Sequence, residues 1–142
     1  MIYFNSYYLA KLYLMDSDSS RIRASAEAAN GLAGCAIGRG EVVATFHRHF
    51  RGKRLTQLEL RQLAAQVEAD IGAGLWTELP ATAALIEAHV RRMATLPASV
   101  LLRASDALHL ECAAAARLHE VCGNDRHLLA AALHFGLHPV TV

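Results

Sequence analysis

Ile2-Tyr3-Phe4-Asn5-Ser6 is the stretch from which the fold is read. Three apolar, mostly aromatic residues suit a short buried strand. Asn5-Ser6 then turns the chain and supplies a helix cap, and Leu9, Leu12 and Tyr13 follow at helical spacing. The same alternation recurs outward from here. Ser19-Ser20 precede a second helical stretch that Asn30-Gly31 stops. Leu32 to Ile37 is small, apolar and strand-like, and a helix is expected from Glu41, with Val42, Val43, Phe46 and Phe50 on or near one face. Thr56-Gln57-Leu58-Glu59 is a capping box, and the helix after it carries Leu60, Leu63, Ala64, Val67 and Ile71 in one stripe. Leu75 to Leu79 alternates as an edge strand would. Pro80 suits a helix start, with Ile86, Val90 and Met93 inward and Pro97 closing it. Ser105 is a cap for a helix through Leu108 and Cys112 to about Leu118. Glu120 to Gly123 is a short strand candidate, Asn124 or Asp125 caps a last helix that Gly136 ends, and His138 to Val142 is a final strand. Strands alternating with helices argue for an α/β sandwich, a mainly parallel sheet flanked by helices, in a single domain spanning residues 1–142.

Composition narrows the class. Of 142 residues, 54% are apolar and only 19% charged, with 9 Gly and 3 Pro, which excludes disordered, collagenous and linker-rich chains. The formal net charge of +1 excludes a globally basic nucleic-acid binder. Cys35, Cys112 and Cys122 form no CxxC pair, so buried free thiols are expected and a zinc site is not. Met1 to Asn5 has no basic leader segment, and no apolar run approaches the roughly 20 residues of a membrane span. A cytoplasmic location, with no membrane association, is the simplest expectation.

Parallel sheets bind ligands at the carboxyl ends of their strands. The polar residues expected there are Asn5, Glu41 and Asp125, and Asp106 opens a helix. Converging carboxylates raise one another's pKa and cost stability unless a cation neutralises them. Oxygen ligands suit Mg²⁺ or Mn²⁺, which stabilise phosphoryl charge and activate water for hydrolysis. The ordinary alternative for each acid is a cap that offsets the helix dipole.

Four segments, in order, resemble PIN-domain ribonucleases of the VapC toxin family: Met1 to Ser6 with Leu9 to Tyr13, Ala36 to Val42, Leu102 to Leu110, and Asn124 to Ala132 ending at Gly136-Leu137. The resemblance covers essentially the whole chain. It implies a PIN-like three-layer sandwich and a Mg²⁺- or Mn²⁺-dependent endoribonuclease. It makes Asn5, Glu41, Asp106 and Asp125 the catalytic and metal-binding positions. It further implies a structured RNA substrate such as tRNA, a VapB-type antitoxin as partner, and a homodimer, for which the Leu60, Leu63 and Val67 stripe is one candidate face and core packing the other reading.

Three positions depart from that pattern. Position 5 is Asn where the family has Asp, so a neutral oxygen replaces a charge. Tyr7 stands where a small hydroxyl residue is usual, either crowding the site, stacking on a base, or packing on the sheet. Gly123 stands where Ser or Thr is usual. These departures favour an alternative, a catalytically degenerate PIN domain that only binds an antitoxin or RNA.

Weaker features complete the reading. His47, Arg48, His49, Arg51, Lys53, Arg54 and Arg61 form one basic stretch, suited either to RNA phosphates or to a solvated helix end. Arg39 is a partner for Glu41 or for phosphate. His109 lies one turn after Asp106, at a spacing that permits metal ligation, although a supporting or exposed histidine is the commoner case. Lys11 is long enough to reach the sheet edge.

Overall fold

The computed structural model describes residues 1–142. Five short strands pair in parallel: β1 (Ile2–Phe4), β2 (Leu32–Cys35), β3 (Thr77–Leu79), β4 (Glu120–Cys122) and β5 (His138–Val140). Their order across the sheet is β3-β2-β1-β4-β5. Seven α-helices connect them: α1 (Ser6–Lys11), α2 (Ser19–Ala28), α3 (Ala36–Arg51), α4 (Gln57–Gly72), α5 (Ala83–Thr95), α6 (Ala104–Ala115) and α7 (Arg126–Ala131), the last continuing into a 3₁₀ turn at Ala132–Phe135. This is an α/β fold with a parallel sheet flanked by helices, as the alternating sequence pattern predicts. No helix is long and apolar enough to cross a membrane.

Successive strand residues face opposite sides of a sheet, and the core divides accordingly. Tyr3 and Val121 pack with Leu85 of α5, Leu108 and Leu110 of α6 and Leu128 of α7. Phe4 and Cys122 pack with Leu9 of α1, Ile22 of α2, Val42 and Phe46 of α3 and Val67 of α4. Both faces are therefore covered, which is what apolar parallel strands require. Leu60, Leu63 and Ile71 pack against the second cluster, so most of the α4 stripe is core. All three cysteines are buried free thiols.

Local capping explains most boundaries. Thr56 Oγ1 accepts the Glu59 N–H at 3.2 Å while Glu59 Oε2 accepts the Thr56 N–H at 2.6 Å, completing the capping box. Gly136 takes a left-handed φ of 73° and stops the last helix.

Four expectations are corrected. α3 begins at Ala36, not Glu41, because Cys35 is both the last residue of β2 and the extended residue preceding the helix. α5 begins at Ala83 rather than Pro80, because Thr82 Oγ1 accepts the Leu85 N–H at 3.1 Å. Its inward stripe runs through Leu85, Met93 and Leu96, leaving Ile86 and Val90 41% and 59% exposed. Ser105 lies inside α6, whose cap position is Arg103 with no side-chain cap bond.

Candidate functional site

The chain leaves β1 towards β2 and β3, then crosses to build β4 and β5 on the other side. β1 and β4 are paired neighbours, and their carboxyl ends are the switch point at which parallel sheets generally bind ligands. Asn5 follows β1 and Gly123-Asn124-Asp125 follows β4. The two ends are tied by the Asn5 N–H, which donates to the Cys122 carbonyl at 3.0 Å.

Asn5 is buried, and its Oδ1 accepts the Tyr8 N–H at 3.1 Å, capping α1. Its amide nitrogen points to Gly123, where an added Cβ would lie 2.7 Å away. Asp125 caps α7: its Oδ1 accepts the N–H groups of His127 at 2.8 Å and Leu128 at 3.0 Å. Those bonds, Leu128 first, hold its carboxyl below the usual carboxylate range. At both residues the capping role is therefore real, and one oxygen of Asp125 remains outside it.

Asp106 sits in the first turn of α6. Burial first, then the charge of Asp125, pushes its carboxyl above the ordinary value; His109 and Arg103 oppose this and Glu41 adds to it. The charges of Asp125 and Glu41 thus both reach Asp106, although the three segments are far apart in sequence. Glu41 lies in the second turn of α3, with a side chain 37% exposed. Its Oε2 is 2.8 Å from Nε2 of His109. That bond, helped by the Ser6 hydroxyl, outweighs burial and keeps the Glu41 carboxyl lower than usual.

No three His, Cys, Asp or Glu side chains lie close enough together to hold a metal ion directly. The residues that could offer oxygen to a cation are Glu41, Asp106 and the Asp125 oxygen outside its cap; a hydrated Mg²⁺ needs only one or two carboxylates.

Other readings resolve differently. His109 is neither exposed nor lone: it is 1% exposed and contacts Glu41 and Tyr3. Tyr7 turns away from the acids; its hydroxyl donates to Asp18 at 2.7 Å and its ring lies under Lys11. Lys11 does not reach the edge, because Asp16 at 2.7 Å and Asp18 at 2.8 Å hold it. Arg39 pairs with Glu68 at 3.0 Å and Glu78 at 3.1 Å, not with Glu41. In the basic stretch, Arg51, Lys53, Arg54 and Arg61 are exposed, while His49 turns towards the Thr45 carbonyl. At 1.5 Å per helical residue, Arg51 is about 15 Å along α3 from Glu41.

Sequence reasoning missed Tyr3, Ser6 and Arg103. Arg103 is exposed, and its charge acts on both Asp106 and Asp125. The largest cavity, about 570 Å³, lies elsewhere, among Tyr13, Asp16, His49, Leu55 and Leu63.

No protein-family model matches the chain, and no curated protein matches it.

Proposed function

We propose that this chain is a PIN-like, Mg²⁺- or Mn²⁺-dependent endoribonuclease, the VapC-type toxin of a pair whose partner is a VapB-type antitoxin, with activity lowered by Asn at position 5. One observation carries this reading: the ends of β1 and β4, which bear Asn5 and Asp125, are tied by the Asn5 N–H to the Cys122 carbonyl at 3.0 Å, and α6, which opens with Asp106, meets Glu41 through His109 at 2.8 Å. Oxygen donors brought together in this way suit a hard divalent cation.

In this reading Glu41 and Asp106 hold the cation, and Asp125 joins through the oxygen its cap leaves unused. The cation would stabilise phosphoryl charge and lower the pKa of water. Asn5 fixes the start of α1 and contributes no charge. Arg103 is placed to meet a phosphate beside the acids, and Arg51, Lys53, Arg54 and Arg61 extend the contact to the RNA backbone. A homodimer belongs to the same reading, with exposed Ile86 and Val90 better placed than the largely buried α4 stripe.

The test is Asn5→Asp. Its Oδ1 retains the cap while the second oxygen adds a charge, so Mn²⁺ affinity and RNA cleavage rise together. An Asn5→Asp chain that neither binds Mn²⁺ nor cleaves structured RNA would overturn the proposal. A second reading, the degenerate binding module, is favoured by the commitment of Asn5 Oδ1 to Tyr8. It expects no stabilisation of the native chain by Mn²⁺, whereas an ion bound to the folded state must raise its melting temperature.

A further inference from the structure

A chain of buried hydrogen bonds leads from the interior of the sheet to Glu41. Tyr3 of β1 and His109 of α6 are 0% and 1% exposed. The Cys35 N–H donates to Tyr3 Oη at 3.1 Å. Tyr3 Oη also meets His109 Nδ1, with the two rings edge to face at 5.9 Å. His109 Nε2 meets Glu41 Oε2 at 2.8 Å. Gly38, one turn before Glu41 on α3, makes room for the imidazole: a Cβ there would lie 3.2 Å from His109 Cε1.

The partners order the protons. His109 Nε2 faces a carboxylate oxygen, which only accepts, so Nε2 carries the ring proton. The Tyr3 hydroxyl's other partner, the Cys35 N–H, is itself a donor, so the hydroxyl gives its proton to Nδ1. Nε2–H donates to Glu41 Oε2, and Oε1 remains for another ligand. The Tyr3 hydroxyl and both His109 ring nitrogens thus all have partners, as buried polar groups require. Both imidazole nitrogens are used, so His109 itself has no lone pair to give a metal.

We propose that Tyr3 and His109 form a fixed donor relay that orients the Glu41 carboxylate towards a divalent cation, with His109 a positioning residue rather than a ligand. This rests on the metal-dependent reading above. Asp106 and His109 share one face of α6, so the helix that supplies one carboxylate also aims the other. Partners of metal ligands typically tune affinity 10–100-fold, by order of magnitude.

The experiment has two arms. In the first, ¹⁵N NMR of the metal-free native chain reads the tautomer of His109. The expected signature is protonated Nε2 and bare Nδ1, shifting in Tyr3→Phe and Glu41→Gln. A proton on Nδ1 overturns the relay. In the second, Mn²⁺ is titrated against the native chain and variants while thermal stability is followed. Glu41→Gln abolishes the stabilisation. His109→Ala and His109→Asn weaken Mn²⁺ binding about 10–100-fold, because neither places a donor at Glu41. His109→Gln, whose amide nitrogen replaces Nε2, restores most of it. If His109→Ala does not fold, the Gln and Asn variants decide. Mn²⁺ binding that needs Glu41 but is indifferent to His109 overturns the relay alone. No Mn²⁺ binding by the native chain overturns the metal reading and the relay's purpose together.

Discussion

Asn5 and Gly123 occupy interlocking space: a Cβ on Gly123 would sit 2.7 Å from the Asn5 amide nitrogen and 3.1 Å from its Cγ. The two positions are thus one structural fact. Asn5 cannot easily yield, because its Oδ1 is held by the Tyr8 N–H. Gly123→Ala therefore destabilises by about 1–3 kcal/mol through overpacking. In an Asn5→Ala background, which itself loses about 1 kcal/mol of capping, the same change costs less. A double-mutant cycle by urea unfolding measures the coupling. Additive values would show that the two sites do not compete for space.

The Lys11 cluster sets an acid response. Hydrogen bonds from Lys11 hold the Asp16 and Asp18 carboxyls below their ordinary value. An unfolded Asp titrates near about 3.9. A lowered folded pKa means the stability is present above that value and is lost as pH falls through the folded values. Lys11→Met leaves both carboxylates without their cation, destabilises the fold by about 2 kcal/mol at pH 7, and flattens or reverses the dependence below pH 5. Unfolding free energies measured at pH 7, 5 and 3 check this.

Arg39 is structural. Its Nε lies 3.1 Å from a buried Glu78 oxygen. Arg39→Gln lowers stability by about 1 kcal/mol, and Glu78→Gln in that background recovers part of it. If the chain binds RNA as proposed, Arg39→Gln leaves that affinity unchanged, as a filter-binding series with salt would report.

The exposed basic side chains give the opposite pattern. Replacing Arg51 and Arg54 together by Gln leaves stability within about 0.5 kcal/mol. If these groups touch phosphates, the slope of log K against log salt falls by about one unit per contact. An unchanged slope would assign the basic stretch to solvent.

The features legible in the sequence were local ones. The capping box joins Thr56 to Glu59 and the Asp125 cap reaches only to Leu128, so adjacent residues suffice to infer them. The start of α3 was hidden because no loop separates it from β2, and Ala36-Ile37-Gly38 shows no helical period before Val42. The order of the candidate residues in the sequence says nothing of which side chains hold them. Glu41 and His109 are 68 positions apart, and Tyr3 and His109 are 106. The partners of Lys11 (Asp16 and Asp18) and of Arg39 (Glu68 and Glu78) are hidden for the same reason. The nearest opposite charge is decided by helix packing, which one-dimensional spacing does not record.

The pairing of β1 with β4 joins Tyr3 to Val121 and Phe4 to Cys122. Contacts of such long sequence separation form late, because a large loop must close first. During synthesis the segments bearing Asn5, Glu41 and Asp106 leave the ribosome before β4, and a nascent chain lacks the strand that β1 pairs with on that side. This order of assembly keeps the residues of the candidate site apart until β4 has been made and has paired with β1.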